Sequence, residues 1–220
     1  TAGHMSLLEK DHAAALKAGS NLQYGELLPG GTARALDAAI LHAADASTKL
    51  ELGSGTGKSA LQAFLQYTNL AAVVGVELAP SRHALAEAAA LRLAAAHPGR
   101  FRVAEHVPGQ RITLAEHQLG RGASGQPRLL VLRTGNLLDM PTAELRAAQA
   151  VMLQVCLPES LWPQLHACLL SRLCPGARLL SYNSPVDMWH ARSAQRCALR
   201  AMQTAMLSTS WAPVKGHPFY

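Results

Sequence analysis

A strand, a glycine-rich turn, a helix and a second strand follow one another between Lys49 and Glu77, and this unit restricts the possible folds more than any other feature of the chain. Lys49–Leu52 is a short strand-forming run, and Leu50-Glu51-Leu52-Gly53-Ser54-Gly55-Thr56-Gly57-Lys58-Ser59 turns it into a helix over Gly57–Tyr67. Ala72–Glu77 is Val-rich and shows no polar alternation, the pattern of a strand buried on both faces. Two strands joined by a crossover helix lie parallel, and the crossover packs right-handed.

The alternation continues. Pro80–Ala96 reads as an Ala/Leu helix with proline in its first turn, followed by strands at Arg128–Arg133 and Ala150–Cys156. A helix over Pro158–Leu173 ends at Cys174-Pro175-Gly176, and a strand at Arg178–Tyr182 comes next. Phe101–Val107 has strand character, but the glycines at 109, 120, 122 and 125 make residues 101–127 an excursion from the core sheet. Upstream, Ser6–Ala18 reads as a helix, Gly19–Gly31 as a loop, and Thr32 as the N-cap of a helix reaching Ala46. The tail contributes a helix over Ala191–Leu207 and an edge strand near Val214. The expectation is an α/β fold: a doubly wound, mostly parallel sheet with helices on both faces. Residues 1–5 read as a tag remnant, 6–48 as N-terminal helices with a closing loop, and 49–220 as the core domain.

A chain of 220 residues suits one domain, and 49% hydrophobic against 15% charged residues excludes predominant disorder. No apolar run approaches the roughly 18 residues that span a bilayer, so no membrane role is expected. Cys156, Cys168, Cys174 and Cys197 form no CxxC pair, and the ten histidines form no HExxH. Free thiols in an intracellular compartment, nuclear or cytoplasmic, and no metal are therefore expected. The net charge of +6 favours an acidic partner. Arg92, Arg100, Arg102, Arg111, Arg121, Arg128 and Arg133 give either a nucleic-acid or nucleosome footprint or a solvated basic face.

Two nucleotide-binding readings compete for the glycine loop. Gly57-Lys58-Ser59 imitates a phosphate loop, but that motif requires glycine five positions before Gly57, where Leu52 stands. The loop is one residue too short to cradle phosphate in that way. The second reading begins with Glu77, the carboxylate ending a strand about 20 residues after a glycine loop, which in sheets of this kind accepts both ribose hydroxyls.

The run Glu51-Leu52-Gly53-Ser54-Gly55-Thr56-Gly57 resembles the acid-x-G-x-G-x-G loop of class I S-adenosylmethionine-dependent methyltransferases. The resemblance extends to about Tyr182 and implies a Rossmann-like fold with S-adenosylmethionine as cofactor. Under it, Gly53, Ser54, Gly55 and Gly57 let the backbone approach the ligand, Lys58 opens the following helix, and Glu51 attracts the ligand's cationic amino-acid portion. In Thr134-Gly135-Asn136-Leu137-Leu138-Asp139, the family pattern gives Asn136 the adenine amino group and Leu137 the ring face, with Asp139 as the alternative reader. Ahead of the first strand, Tyr24-Gly25-Glu26-Leu27 resembles the Tyr-Gly-Glu loop of Dot1-type histone lysine methyltransferases, which closes over the cofactor's amino-acid end. This places Tyr24 and Glu26 at the cofactor.

The Dot1 pattern continues with Asn-Asn-Phe after the fourth strand, where this chain has Gln154-Val155-Cys156-Leu157-Pro158. The amide is kept as Gln154, and the aromatic wall is expected to be missing. Trp211 and Phe219-Tyr220 stand where an aromatic closing strand would lie. Asn-Pro-Pro-Tyr, the mark of many base and glutamine methylators, is absent at that position, leaving lysine, oxygen and small-molecule acceptors. The resemblance implies a protein substrate, a histone or nucleosome, with Tyr24 and Gln154 as the catalytic candidates and Tyr182 and Asn183 as further polar residues of the channel. Transfer to another acceptor, or cofactor binding without transfer, are the alternatives.

Overall fold

The computed structural model describes residues 7–121, 126–188 and 203–220. Helices α1 (Glu9–Lys17) and α2 (Pro29–Leu36) precede strand β1 (Thr48–Leu52). Then follow α3 (Lys58–Gln66), β2 (Ala72–Glu77), α4 (Pro80–Ala96), β3 (Phe101–Val107), β4 (Arg111–Arg121) and β5 (Pro127–Thr134). The remaining elements are α5 (Thr142–Ala147), β6 (Ala150–Leu153), α6 (Trp162–Cys168), β7 (Arg178–Ser181), α7 (Pro185–Met188), β8 (Ala205–Leu207) and β9 (His217–Phe219).

The main sheet has the order β3-β4-β5-β2-β1-β6-β7. Strands β5, β2, β1, β6 and β7 are parallel, while β3 and β4 run antiparallel at one edge. Strands β8 and β9 form an antiparallel pair, and Tyr220 exchanges two backbone hydrogen bonds with Ser181, which docks this pair beside β7. Because β1 lies between β2 and β6, the connections leave it in opposite directions and open a crevice at its carboxyl end, where ligands bind in open α/β sheets.

Two apolar layers cover the sheet. On one face, Ala60, Ala63 and Phe64 of α3 and Ala86, Ala90 and Ala94 of α4 pack on Val73, Leu130, Leu132 and Met152. The four-residue alanine spacing gives α4 a stripe of small side chains that lets the helix lie close to the strands. On the other, Leu145, Trp162, Leu165 and Leu169 cover Leu50, Leu52, Val74, Val76, Val131 and Val151.

Several sequence expectations change. Residues 101–121 do not leave the sheet: β3 and β4 form a hairpin turned by Pro108-Gly109, with Gly109 at φ 70° and Gln110 N–H donating to Val107 O at 2.9 Å. Thr32 is a buried residue inside α2, which starts at Pro29 instead, and the helix stops at Leu36 because Asp37 is extended and its carboxylate takes the N–H of Ala38. The helix expected over Pro158–Leu173 is broken, since Pro163 clashes with the carbonyl four residues back and a helix must begin next to it. A 3-10 turn at Glu159–Leu161 precedes α6, and another follows at Leu170–Arg172. The strand expected to reach Cys156 ends at Leu153. Most of the expected tail helix, with Cys197, and the tag remnant lie outside the described residues, but its last residues, Ala205–Leu207, are strand β8. Val214 lies in the turn before β9.

The basic stretch also reads differently once folded. Arg128 is fully buried and pairs with Glu116, as does Arg100, while Arg111 pairs with Glu105 and Arg133 with Glu144. Arg128 further donates to the carbonyls of Phe64, Tyr67 and Leu70, tying the end of α3 to β5. Each of these four arginines is thus engaged in an ion pair within the chain. Among the described residues, no helix is long and apolar enough to cross a membrane.

Candidate functional site

Every parallel strand near the switch point delivers a polar residue to one cavity. Gly53, Ser54, Gly55 and Thr56 follow β1, Glu77 ends β2, Gly135, Asn136 and Leu137 follow β5, and Gln154 follows β6. The loop before α2 closes the opposite side with Tyr24, Gly25 and Glu26. Of the residues expected at the cofactor, Tyr24, Glu26, Glu51, Gly53, Ser54, Gly55, Lys58, Glu77, Asn136 and Leu137 all line this cavity.

Gly57 does not. It sits at φ 76° beneath α3, where a Cβ would meet Ala86 Cβ at 2.9 Å, so its function is to let α3 and α4 approach. Gly53 and Gly55 have φ of 80° and 54°, a backbone region that non-glycine residues rarely adopt. A side chain at Gly55 would strike the Tyr24 ring at 2.9 Å, so the closing loop and the glycine turn meet without room for one.

Glu77 is 5% exposed. Its Oε2 accepts Gly55 N–H at 2.8 Å and its Oε1 accepts Ala79 N–H at 2.9 Å. Burial raises its pKa above the usual carboxylate range, and the N–H of Ala79, the Arg82 guanidinium and the N–H of Gly55 offset that only in part. A second carboxylate, Glu26, collects three donors: Tyr24 Oη at 2.6 Å, Thr56 Oγ1 at 3.0 Å and Lys58 Nζ at 2.8 Å. Burial pushes Glu26 upward, but the bonds from Lys58, Tyr24 and Thr56 together hold it below its ordinary value. The same environment, burial first and then the bond to Glu26, raises the Tyr24 phenol, so it stays a donor.

A lowered carboxylate pKa stabilises the fold fully above the ordinary Glu range, and that stability is lost as pH falls through the lowered folded value. Wild type and Glu26→Gln are therefore expected to differ by a constant interval in melting temperature near neutral pH, and the interval should close on acidification below about pH 4. Parallel thermal melts across pH 3 to 8 read this directly.

Asn136 and Asp139 are told apart by the fold. Asn136 lines the cavity and its Oδ1 caps Leu138 N–H at 3.0 Å, leaving its amide N–H groups for a ligand. Asp139 is exposed and outside the lining. Arg82, which sequence reasoning missed, is 4% exposed and joins the two halves of the site. Its guanidinium donates to Leu22 O at 2.6 Å, lies 4.2 Å from the centre of the Tyr24 ring and stands 3.8 Å from Glu77 Oε1. Its position in the first turn of α4, five residues after Glu77, is the sequence signal that could have marked it.

A second cavity adjoins the first, and Tyr24 and Gln154 line both. Tyr182, Trp211 and Phe219 form its walls. The expectation of a missing aromatic wall is thus corrected: the rings come from the end of β7 and from the β8–β9 region instead of the segment after β6. Tyr182 and Trp211 meet edge to face at 6.1 Å, and Tyr182 stacks on His217 at 5.0 Å. Trp211 presses so closely on the closing loop that a Cβ at Gly25 would fall 1.9 Å from its ring. Asn183, an expected channel residue, lines neither cavity.

The donor set fits the expected cofactor. Glu77 can accept hydroxyl groups, the two left-handed glycines leave the loop surface bare, and Glu26 and Lys58 offer opposite charges to a zwitterionic amino acid. Comparison with known families agrees: residues 5–98 match the family described as "Histone methylation protein DOT1", a stretch that holds Tyr24, Glu26, Gly53–Gly57 and Glu77. No curated protein matches. Among solved structures, the chain is similar to a protein assigned as an O-methyltransferase from Klebsiella pneumoniae, with 14% identity, a TM-score of 0.48, and coverage of 96% of this chain and 86% of that one. It is also similar to the 16S rRNA (adenine(1408)-N(1))-methyltransferase of Catenulisporales acidiphilia, solved with its cosubstrate S-adenosylmethionine. That match has 20% identity, a TM-score of 0.35, and coverage of 81% of this chain and 66% of that one.

Proposed function

We propose that a protein lysine is the methyl acceptor of this chain, which is a class I S-adenosylmethionine-dependent methyltransferase resembling Dot1. The observation that carries the reading is the second cavity. It meets the cofactor cavity at Tyr24 and Gln154, and among the described residues no charged side chain lines it. An aromatic passage without charge accommodates the aliphatic stem of lysine and disfavours its ammonium form, since desolvation lowers an amine pKa. A neutral amine is the form that can attack.

S-adenosylmethionine, when bound, supplies a methyl group open to in-line displacement, a reaction that depends on alignment and exclusion of water. Tyr24, held as a donor by Glu26, fixes the closing loop over the glycine turn. Trp211 covers the outer side of that loop, and Arg82 holds its inner end at Leu22. These contacts position the loop without needing a base in the site.

Histones and nucleosomes are the first acceptors to test, by incubation with tritium-labelled cofactor followed by amino-acid analysis of the labelled protein. The expected product is ε-N-methyllysine, formed about 10- to 100-fold more slowly with Gln154→Met. Label in an oxygen ester or a small molecule would assign another acceptor. Cofactor binding with no transfer to histones, nucleosomes, RNA or lysate would make the chain a binding module.

A further inference from the structure

Lys49 is a fully buried lysine in the middle of the sheet. In register it faces Val73 of β2 and Ala150 of β6, both members of an apolar layer. A lone ammonium there would be costly to desolvate, and its partner is Glu51, two residues along the same face, with Nζ 2.5 Å from Oε2. The other carboxylate oxygen of Glu51 accepts Nε2 of Gln154 at 2.8 Å. Glu51, expected to serve the cofactor's cationic end, lines the cofactor cavity, and each of its oxygens also holds one protein donor.

We infer that Lys49 is a positioning residue for methyl transfer: its ion pair with Glu51 fixes the Gln154 amide so that the amide carbonyl is turned toward the incoming acceptor and selects an N–H donor. This inference rests on the amine reading of the acceptor site. An ionised carboxylate only accepts hydrogen bonds, so the amide face toward Glu51 must be the NH2 group. The carbonyl then points away from Glu51, at a residue shared by the two cavities. Among the described residues no donor meets that carbonyl. A neutral amine has N–H groups to give it while directing its lone pair at the methyl group, whereas a deprotonated oxygen acceptor has none. Lys49 holds one oxygen of Glu51 and leaves the other for the amide, which keeps the amide in one orientation.

The test is a cycle built on two changes. Lys49→Met alone would leave a buried carboxylate unpaired and risks loss of the fold, so Lys49→Met and Glu51→Gln are made together, removing both charges with groups of similar size. At position 51 an amide can present either its oxygen or its nitrogen, and the orientation of Gln154 is no longer imposed. At saturating cofactor the double variant is expected to lower kcat about 10- to 100-fold, as Gln154→Met does. Combining all three changes should cost no more than Gln154→Met alone, because each variant removes the same fixed carbonyl. A merely structural role gives multiplied losses in the triple variant, and a direct role of Glu51 at the cofactor gives weaker S-adenosylhomocysteine binding at unchanged kcat; either result overturns the inference. A second readout needs no acceptor. The exchange-protected side-chain NH2 resonances absent from Gln154→Met should move toward solvent-exposed positions in the Lys49/Glu51 double variant, and unmoved resonances also overturn it. If the acceptor is an amine other than lysine, the labelled product will differ while the cycle and the spectra behave as stated; an oxygen acceptor would overturn the inference with the reading it rests on.

Discussion

Glu77→Ala is expected to weaken S-adenosylmethionine binding by about 1 to 3 kcal/mol, a loss of roughly 5- to 150-fold read by calorimetric titration. The side chain acts on both sides of the binding equilibrium. It would accept ribose hydroxyls, and it already anchors the glycine turn through Gly55 N–H and the start of α4 through Ala79 N–H. A raised carboxylate pKa means that the folded state holds the proton more tightly than the unfolded chain. The stability attached to that proton is present below the ordinary Glu range and is lost as pH rises through the raised value. At neutral pH the buried carboxylate therefore costs the apo protein stability, and hydroxyl donors from the ligand offset that cost. Wild-type affinity should fall on acidification at a higher pH than an ordinary glutamate would cause, and this step should vanish in Glu77→Ala. An affinity unchanged by the substitution would remove Glu77 from the site.

What could be read from the sequence followed from local rules. Ala72–Glu77 and Pro80–Ala96 have the bounds expected of them, because an uninterrupted valine run and a proline-led alanine helix admit few alternatives. The glycine turn and Glu77 were legible because their spacing reflects a geometry set within one strand-helix-strand unit. What was missed depends on contacts between distant segments. Lys49 reads as the polar start of a strand, and only the register with β2 and β6 shows that it is buried. Trp211, legible only as part of an aromatic closing strand, becomes a wall of the second cavity because Ser208 and Ser210 are bonded to Leu28 and Glu26, which brings the C-terminal segment over the closing loop. The hairpin of β3 and β4 was legible in principle. Pro108-Gly109 is a turn signal, and Ile112 and Leu114 alternate after it, but the later glycines drew attention to loop character instead.

Gly25→Ala is expected to have the second large effect, and the reason lies in that same long-range contact. The added methyl would fall 1.9 Å from one Trp211 ring carbon and 2.4 Å from the next, so the indole must move. It cannot do so freely, since it packs edge to face on Tyr182 at 6.1 Å and on His217 at 5.4 Å. Forcing an atom into such packing costs about 1 to 3 kcal/mol. Displacement of Trp211 would also open the second cavity beside Tyr24, the proposed acceptor site, so turnover should fall more than cofactor affinity does. Trp211→Ala alone removes the wall and should lower kcat, with a smaller effect on stability because the indole is 46% exposed. The decisive result is the double variant Gly25→Ala/Trp211→Ala. With no ring to collide with, the alanine at position 25 should regain most of the lost melting temperature while activity stays low, a strongly non-additive pair of the kind that direct contact produces. Additive losses in melting temperature would mean that Gly25 is required by its own backbone conformation and that Trp211 does not close the loop from outside.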